Sequence, residues 1–197
     1  MNEENIFNKL KETLNSYTYI SEETWNDFKK ICTIKKIPKG SYAYDMYSKV
    51  NEISFVYQGL FRTFNINENA EEYTKNFFWE TRFYGPMVAL LANKEVDSCV
   101  QALEDSIVVD IQHDKYRQLL KKYDDLKMYH ILYLEKHWIL QKDHNTYALV
   151  LEDAKVRYER FLKEFAHILP RLSQYHIASY LGISATHLSR IRKSLND

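Results

Sequence analysis

The stretch Leu172-Ser-Gln-Tyr-His-Ile-Ala-Ser-Tyr-Leu-Gly-Ile-Ser-Ala-Thr-His-Leu-Ser-Arg-Ile-Arg-Lys-Ser-Leu195 decides the reading of this chain. Ile177, Ala178 and Leu181 fall at i, i+1, i+4, and Leu188, Ile191 and Leu195 repeat on one face, so the spacing predicts two short amphipathic helices. Gly182 follows the last apolar position of the first helix, where the chain can turn through positive φ at no steric cost. Ile183 can fill the corner, Ser184 is placed to cap the second helix, and Ala178 is small where crossing helices approach. These are the offsets of a helix-turn-helix, a unit that reads DNA with its second helix.

The face opposite Leu188, Ile191 and Leu195 carries Thr186, Arg190 and Lys193, with His187 and Ser189 on its flanks. Arg190 is the expected base reader, because a guanidinium pairs bidentately with guanine. Thr186 and His187 come second, while Ser189, Arg192 and Lys193 suit phosphate contacts. The plain alternative is a solvated polar face on a structural hairpin. The Ala, Gly, Ile and Ser offsets favour DNA.

Working outward, 197 residues suit one large or two small domains, and 45% hydrophobic content suffices for a proper core. Sixteen tyrosines and ten phenylalanines stand against four glycines and three prolines, so turns must rely on Asn, Asp and Lys. A formal net charge of zero excludes a generally basic nucleic-acid coat. Charge is local instead: from Arg171 to Asp197 four basic residues face one acid. Cys32 and Cys99 are far apart and form no metal, cluster or disulfide pattern. No apolar run reaches membrane-span length and the start lacks a basic signal segment, so the expected location is the cytoplasm, with no membrane partner.

Residues 3 to about 30 read as helices, with Ile6, Leu10 and Leu14 on one face and Ser21 starting a second. From Cys32 to Ile111 short alternating runs indicate an antiparallel sandwich or roll. A hairpin is expected over Glu52–Tyr57 and Leu60–Phe64, turning at Gln58-Gly59, and two further strands over Ser98–Ala102 and Ser106–Ile111. Helices follow over Lys115–Lys122, over about Asp125–Tyr147 with an Ile131, Leu134, Trp138 seam, and over Glu152–His167, stopped by Pro170.

A roll, then a long helix, then a C-terminal helix-turn-helix resembles the Crp–Fnr family of bacterial transcription regulators. Three stretches carry the resemblance: Ile53–Phe64 around Gly59, Phe83-Tyr-Gly85 through Val100–Asp105, and the helix-turn-helix. The resemblance implies an α+β chain with an N-terminal antiparallel β-roll of the cyclic-nucleotide-binding-domain type over 1–122, flanked by helices. A dimerisation helix over 123–147 and a DNA-binding domain over 148–197 would follow. It further implies a homodimer on a palindromic double-stranded site, an effector pocket in the roll, and RNA polymerase as an admissible partner. With the chain reaching only Asp197, the β-wing of winged members is expected to be short or missing.

The pocket departs from the family. Its cyclic-nucleotide binders use Gly-Glu and, some eleven residues later, Arg-Ser; here Gly85 is kept, Pro86 takes the Glu position, and Val96 and Asp97 take the Arg and Ser positions. A cyclic phosphate beside Val96 and Asp97 would lose water without a countercharge, unfavourable by roughly several kcal/mol. Cyclic AMP is therefore not the expected effector, and the roll takes another small molecule or none. The family's recognition-helix pattern of Arg-Glu is replaced by Ala185 and Thr186, so an unfamiliar DNA site is expected.

His130, His137 and His144 recur every seven residues beside the seam; a solvated helix flank is the favoured reading over a metal or pH site, because no carboxylate or thiol accompanies them. His113 alone lies near the roll, and no nucleophile elbow, P-loop or dinucleotide fingerprint is present. No catalytic residue, metal site or cofactor is expected. The alternative to a DNA reader is a small-molecule or protein-interaction module whose helical hairpin does not bind DNA.

Overall fold

Two helices lead into the sheets. Asn2 accepts from the Glu4 amide and starts α1 (Glu3–Asn15), whose Ile6, Leu10 and Leu14 are buried. Ser21 accepts from the Thr24 amide at 3.3 Å and starts α2 (Glu22–Lys29), burying Trp25 and Phe28. The computed structural model describes residues 2–140 and 152–196.

Eight strands follow: β1 (Cys32–Ile37), β2 (Tyr42–Tyr44), β3 (Glu52–Gln58), β4 (Phe61–Ile66), β5 (Glu72–Phe78), β6 (Phe83–Tyr84), β7 (Cys99–Ala102) and β8 (Ser106–Gln112). They form two four-stranded sheets, ordered β1-β8-β3-β6 and β2-β7-β4-β5, with every pairing antiparallel. The hairpin expected over 52–64 is corrected by this order. β3 pairs with β8 and β6, while β4 pairs with β5 and β7.

Gly59 is where the chain leaves one sheet for the other. It has φ 114°, and a Cβ there would sit 2.9 Å from the Ser106 Cα. Alternating apolar residues announce a strand, but they do not say which neighbour it will pair with. Two short elements had no sequence signal of their own, β6 and the helix α3 (Met87–Ala92).

The second half is helical. α4 (His113–Lys122) precedes α5 (Asp124–Leu134), which runs into a π-helical turn at Glu135–Ile139. The remainder of the long helix expected to Tyr147 lies outside the described residues. Asp153 caps α6 (Ala154–Glu164) by accepting from the Val156 amide at 2.9 Å. This helix is shorter than its pattern suggested, and Pro170 sits in a separate 3-10 turn, Leu169–Arg171, rather than at its end. Two short helices follow, α7 (Gln174–Leu181) and α8 (Ala185–Asn196).

Three apolar clusters hold these parts together. Ile53, Phe55, Phe83, Val109 and Ile111 join α1, α2, α4 and α5 through Leu10, Phe28, Leu120, Leu126 and Tyr129. Val56, Phe61, Tyr84, Val100, Ala102 and Val108 form a second cluster from both sheets, with Tyr44 and Phe78 against it. Leu60 and Phe77 carry the third, under Phe161, Phe165, Ile177, Leu181, Leu188 and Ile191. Each such side chain contributes about 1.5–3 kcal/mol by burial. On α5 the buried side is Leu126, Tyr129 and Tyr133; Ile131 and Trp138 of the expected seam remain 41% and 38% exposed.

Candidate nucleic-acid interface

Ser173 accepts from the His176 amide and starts α7; Gly182 then turns the chain at φ 66°, ψ 34°. Ile183 donates its amide to the Ala178 carbonyl at 3.1 Å, and Ser184 Oγ accepts from the His187 amide at 3.1 Å to start α8. Ile177, Ala178, Leu181, Leu188 and Ile191 are buried as their spacing requires. Leu195, expected on the same inner face, is 36% exposed and forms its rim. Thr186, His187, Ser189, Arg190, Arg192 and Lys193 are all exposed. Among the described residues no carboxylate lies within ion-pair distance of Arg190, Arg192 or Lys193.

α7 is fixed to the edge of the second sheet by polar contacts that the sequence did not announce. Ser179 Oγ accepts from the Thr74 amide at 3.0 Å and donates to the Glu72 carbonyl at 2.8 Å. The Tyr175 hydroxyl donates to Glu72 Oε2 at 3.1 Å, and the same oxygen pairs with buried Arg62 at 2.6 Å. Arg62 also donates twice to Gln101 Oε1, at 3.0 and 2.8 Å. His176 lies beside this network; burial, and then the Arg62 charge, lower its pKa to about 4. Below it Arg171 joins the 3-10 turn to Glu80 and Glu104. The amphipathic period found the inner face of α7, but single Ser, Tyr and Arg positions carry no periodic signal.

The expected effector residues are distributed around α3. Gly85 and Pro86 stand at its N-terminal end, Pro86 buried and accepting from the Leu90 amide at 2.9 Å. Val96 and Asp97 lie past its other end. Val96 is buried and exchanges backbone hydrogen bonds with Tyr47 and Ser48, whereas Asp97 is exposed. Gly85 borders an apolar cavity of about 50 Å³ with Ile53, Ile111, Tyr129 and Tyr133, on the helix side of the first sheet.

Between the sheets, the Tyr84 ring sits 4.8 Å from Phe61, 5.9 Å from Phe78 and 6.4 Å from Tyr44. Burial raises the Tyr84 hydroxyl pKa far above its ordinary value. Phe77 and Phe83 point the other way, to Phe165 and Tyr133 respectively. Ser54 donates to Asp110 at 2.6 Å and Lys35 pairs with the second oxygen at 2.6 Å, so this buried carboxylate has partners.

The histidines of the long helix turn inward instead of lining a solvated flank. His130 Nδ1 lies 3.2 Å from the Tyr116 hydroxyl, and His137 Nε2 lies 2.5 Å from the Tyr17 hydroxyl. His144 is outside the described residues. Among the described residues no group of three or more His, Cys, Asp or Glu could hold a metal ion, and no helix is long and apolar enough to cross a membrane.

No protein-family model matches the chain, and no curated protein matches its sequence. Solved structures do match. The c-di-GMP-responsive global regulator CLP of Xanthomonas campestris shares 17% identity at TM-score 0.71, over 89% of this chain and 92% of that one. The catabolite activator protein of Thermus thermophilus shares 18% at TM-score 0.58, over 93% and 86%. A transcriptional regulator described as of the crp/fnr family, from Eubacterium rectale, shares 13% at TM-score 0.65, over 90% and 84%. The chain therefore has the fold of Crp/Fnr-type regulators, an α+β fold whose antiparallel sheets and helices match the cyclic-nucleotide-binding domain.

Proposed function

We propose that this chain is a sequence-specific, DNA-binding transcription regulator of the Crp–Fnr type, working as a homodimer and not answering to cyclic AMP. The observation that carries the reading is the face of α8. Its inner side is anchored by Leu188 and Ile191, and its outer side presents Thr186, His187, Ser189, Arg190, Arg192 and Lys193 to solvent. Three cations with no carboxylate in ion-pair distance among the described residues are what a phosphate backbone attracts, and Arg190 at the centre of the face has the fork that guanine requires. α7 and α8 then act as a helix-turn-helix, α7 bracing and α8 entering the major groove.

Pairing of two chains along the long helix supplies the second half-site. Met128, Ile131, Trp138, Ile139 and Leu140 are exposed apolar residues on that segment, and a second copy would cover them. Half-sites would then lie about 34 Å apart. Against cyclic AMP stand Pro86, Val96 and Asp97 in the cassette, together with a roll interior occupied by Phe61, Phe78 and Tyr84. As a regulator of the type it resembles, the chain is not an enzyme.

Selection from random double-stranded DNA, followed by gel shifts across a salt series, tests the proposal. A short palindrome bound with strong salt dependence is the expected result. Retention of every sequence equally, or of none at low salt, would reassign the hairpin to a protein- or small-molecule-interaction role.

A further inference from the structure

A second cleft, of about 450 Å³, opens where four parts of the chain meet: α1, the β5–β6 turn, the π-helical turn and the segment after α6. It is separate from the roll interior and from the face of α8. Lys9, Arg82, Lys136, His137 and His167 converge on it from all four parts, and Glu12 is the acid in its lining. Lys9 and Glu12 lie 3.6 Å apart on the exposed rim. Glu164 also acts on Arg82. Counting both carboxylates against Lys9, Arg82 and Lys136 still leaves the cleft at +1 with neutral histidines.

Arg82 is the centre of the cleft. Its guanidinium lies 4.5 Å from the Trp79 ring centre and donates to His137 Nδ1. His137 Nε2 lies 3.1 Å from the same guanidinium nitrogen and 2.5 Å from the Tyr17 hydroxyl, so the imidazole is held between Arg82 and Tyr17. The same Trp79 ring meets His167 in a T-shaped contact with centroids 4.6 Å apart. Burial depresses the Arg82 pKa, with Tyr133, Tyr17 and Glu164 opposing it, so this cation stands where water compensates it poorly.

The backbone shows two unusual features at the same place. Thr81 adopts φ 68°, a left-handed conformation that a β-branched residue holds only when its surroundings impose it. Its amide donates to Val56 and that of Arg82 to Trp79, which sets Arg82 into the wall. Lys136 and His137 come from the π-helical turn, an irregularity concentrated at functional positions in helices.

We propose that this cleft binds a phosphate monoester. A phosphate carries about −1.5 to −2 charge at neutral pH and three strong acceptor oxygens. Donors arriving from separate elements suit those oxygens better than a planar carboxylate, which a single guanidinium satisfies. The cleft volume falls within the roughly 300–1,000 Å³ typical of small-molecule sites, leaving room beside Trp79 and Tyr17 for an organic body. The inference does not depend on DNA binding.

Isothermal titration of the full chain at low salt, without DNA, with glucose 6-phosphate, inorganic phosphate and glucose tests it. Glucose 6-phosphate should bind at about millimolar Kd or tighter and glucose should not bind. Arg82→Gln should weaken binding by about tenfold or more, and the surface change Lys136→Gln by about threefold, with circular dichroism unchanged. If Arg82→Gln does not fold, Lys136→Gln and Lys9→Gln decide. Lack of glucose 6-phosphate binding at about 10 mM, equal binding of glucose, or unaltered affinity in the folded variants would overturn the proposal.

Discussion

Arg171 Nη1 donates to Glu80 Oε2 at 2.9 Å, tying the turn that precedes the last two helices to the turn after β5. The same guanidinium takes both oxygens of Glu104, at 3.0 and 2.7 Å. Burial works against ionised Glu80, but the Arg171 hydrogen bonds, the Gly59 and Glu80 amides and the Arg171 charge together hold the carboxyl below its ordinary pKa. Arg171→Ala leaves two carboxylates facing each other and loosens α7 and α8 from the roll. All three side chains are partly exposed, so screening limits the expected loss to about 1–2 kcal/mol. Urea denaturation gives the magnitude, and faster amide exchange over 174–196 locates it.

Replacement of Arg190 and of Lys193 should have different consequences. Arg190→Ala should remove preference at one position of the half-site, a loss of about 1–3 kcal/mol for the preferred sequence only. Lys193→Gln should weaken all sequences alike and lower the salt slope by about 1. Competition gel shifts at several salt concentrations separate them. Preserved selectivity after Arg190→Ala would move base reading to Thr186 or His187.

Ile131→Glu combined with Trp138→Glu places charge on the exposed side of α5 and of the π-helical turn that continues it, leaving Leu126, Tyr129 and Tyr133 unchanged. Light scattering should find a monomer with native secondary structure. A dimer surviving both changes would refute pairing along this helix.

Gly59→Ala should be among the most damaging small substitutions. The added Cβ meets Ser106 backbone at 2.9 Å in a conformation alanine resists, at roughly 3 kcal/mol or more. Gly40→Ala, at φ 82° with open space around it, should cost only about 1 kcal/mol. Thermal unfolding of both variants provides the comparison.

Acid should unsettle the contact between α7 and the roll. Burial lowers the pKa of His176 to about 4, against an unfolded value of about 6.5. A histidine held neutral by the fold contributes fully above about pH 6.5 and progressively less as pH falls toward 4, because the unfolded chain takes up the proton first. His113 and His130, also lowered by burial, add to the same trend. Tm should therefore decline from pH 7 to 4.5, and His176→Gln should flatten the slope.

Much of this was legible in the sequence because it depends on local period and capping. Ser21, Ser184 and Gly182 hold the positions their residue types favour, and Ile177, Leu181, Leu188 and Ile191 bury the face their spacing defined. The strands other than β6 were found, but Glu52–Gln58 does not pair with Phe61–Ile66 as proximity suggested. Alternation fixes which residues share a face, whereas strand order depends on which distant segment closes the sheet. His130 and His137 show the same limit: a seven-residue repeat places them on one side, and only Tyr116 and Tyr17, distant in sequence, decide that this side faces inward.

The sequence by itself determined the helical hairpin, its caps and its outward polar face. The tertiary structure alone decided that Phe77 faces the hairpin while Phe78 faces the roll interior, that Arg171 clamps Glu80 and Glu104, and that Arg82 joins Lys9 and Lys136 around one cleft. The physical reason is range. Capping and amphipathic period act within a few residues of the chain, whereas an ion pair or a cleft is made by residues whose separation in sequence has no bearing on their distance in space.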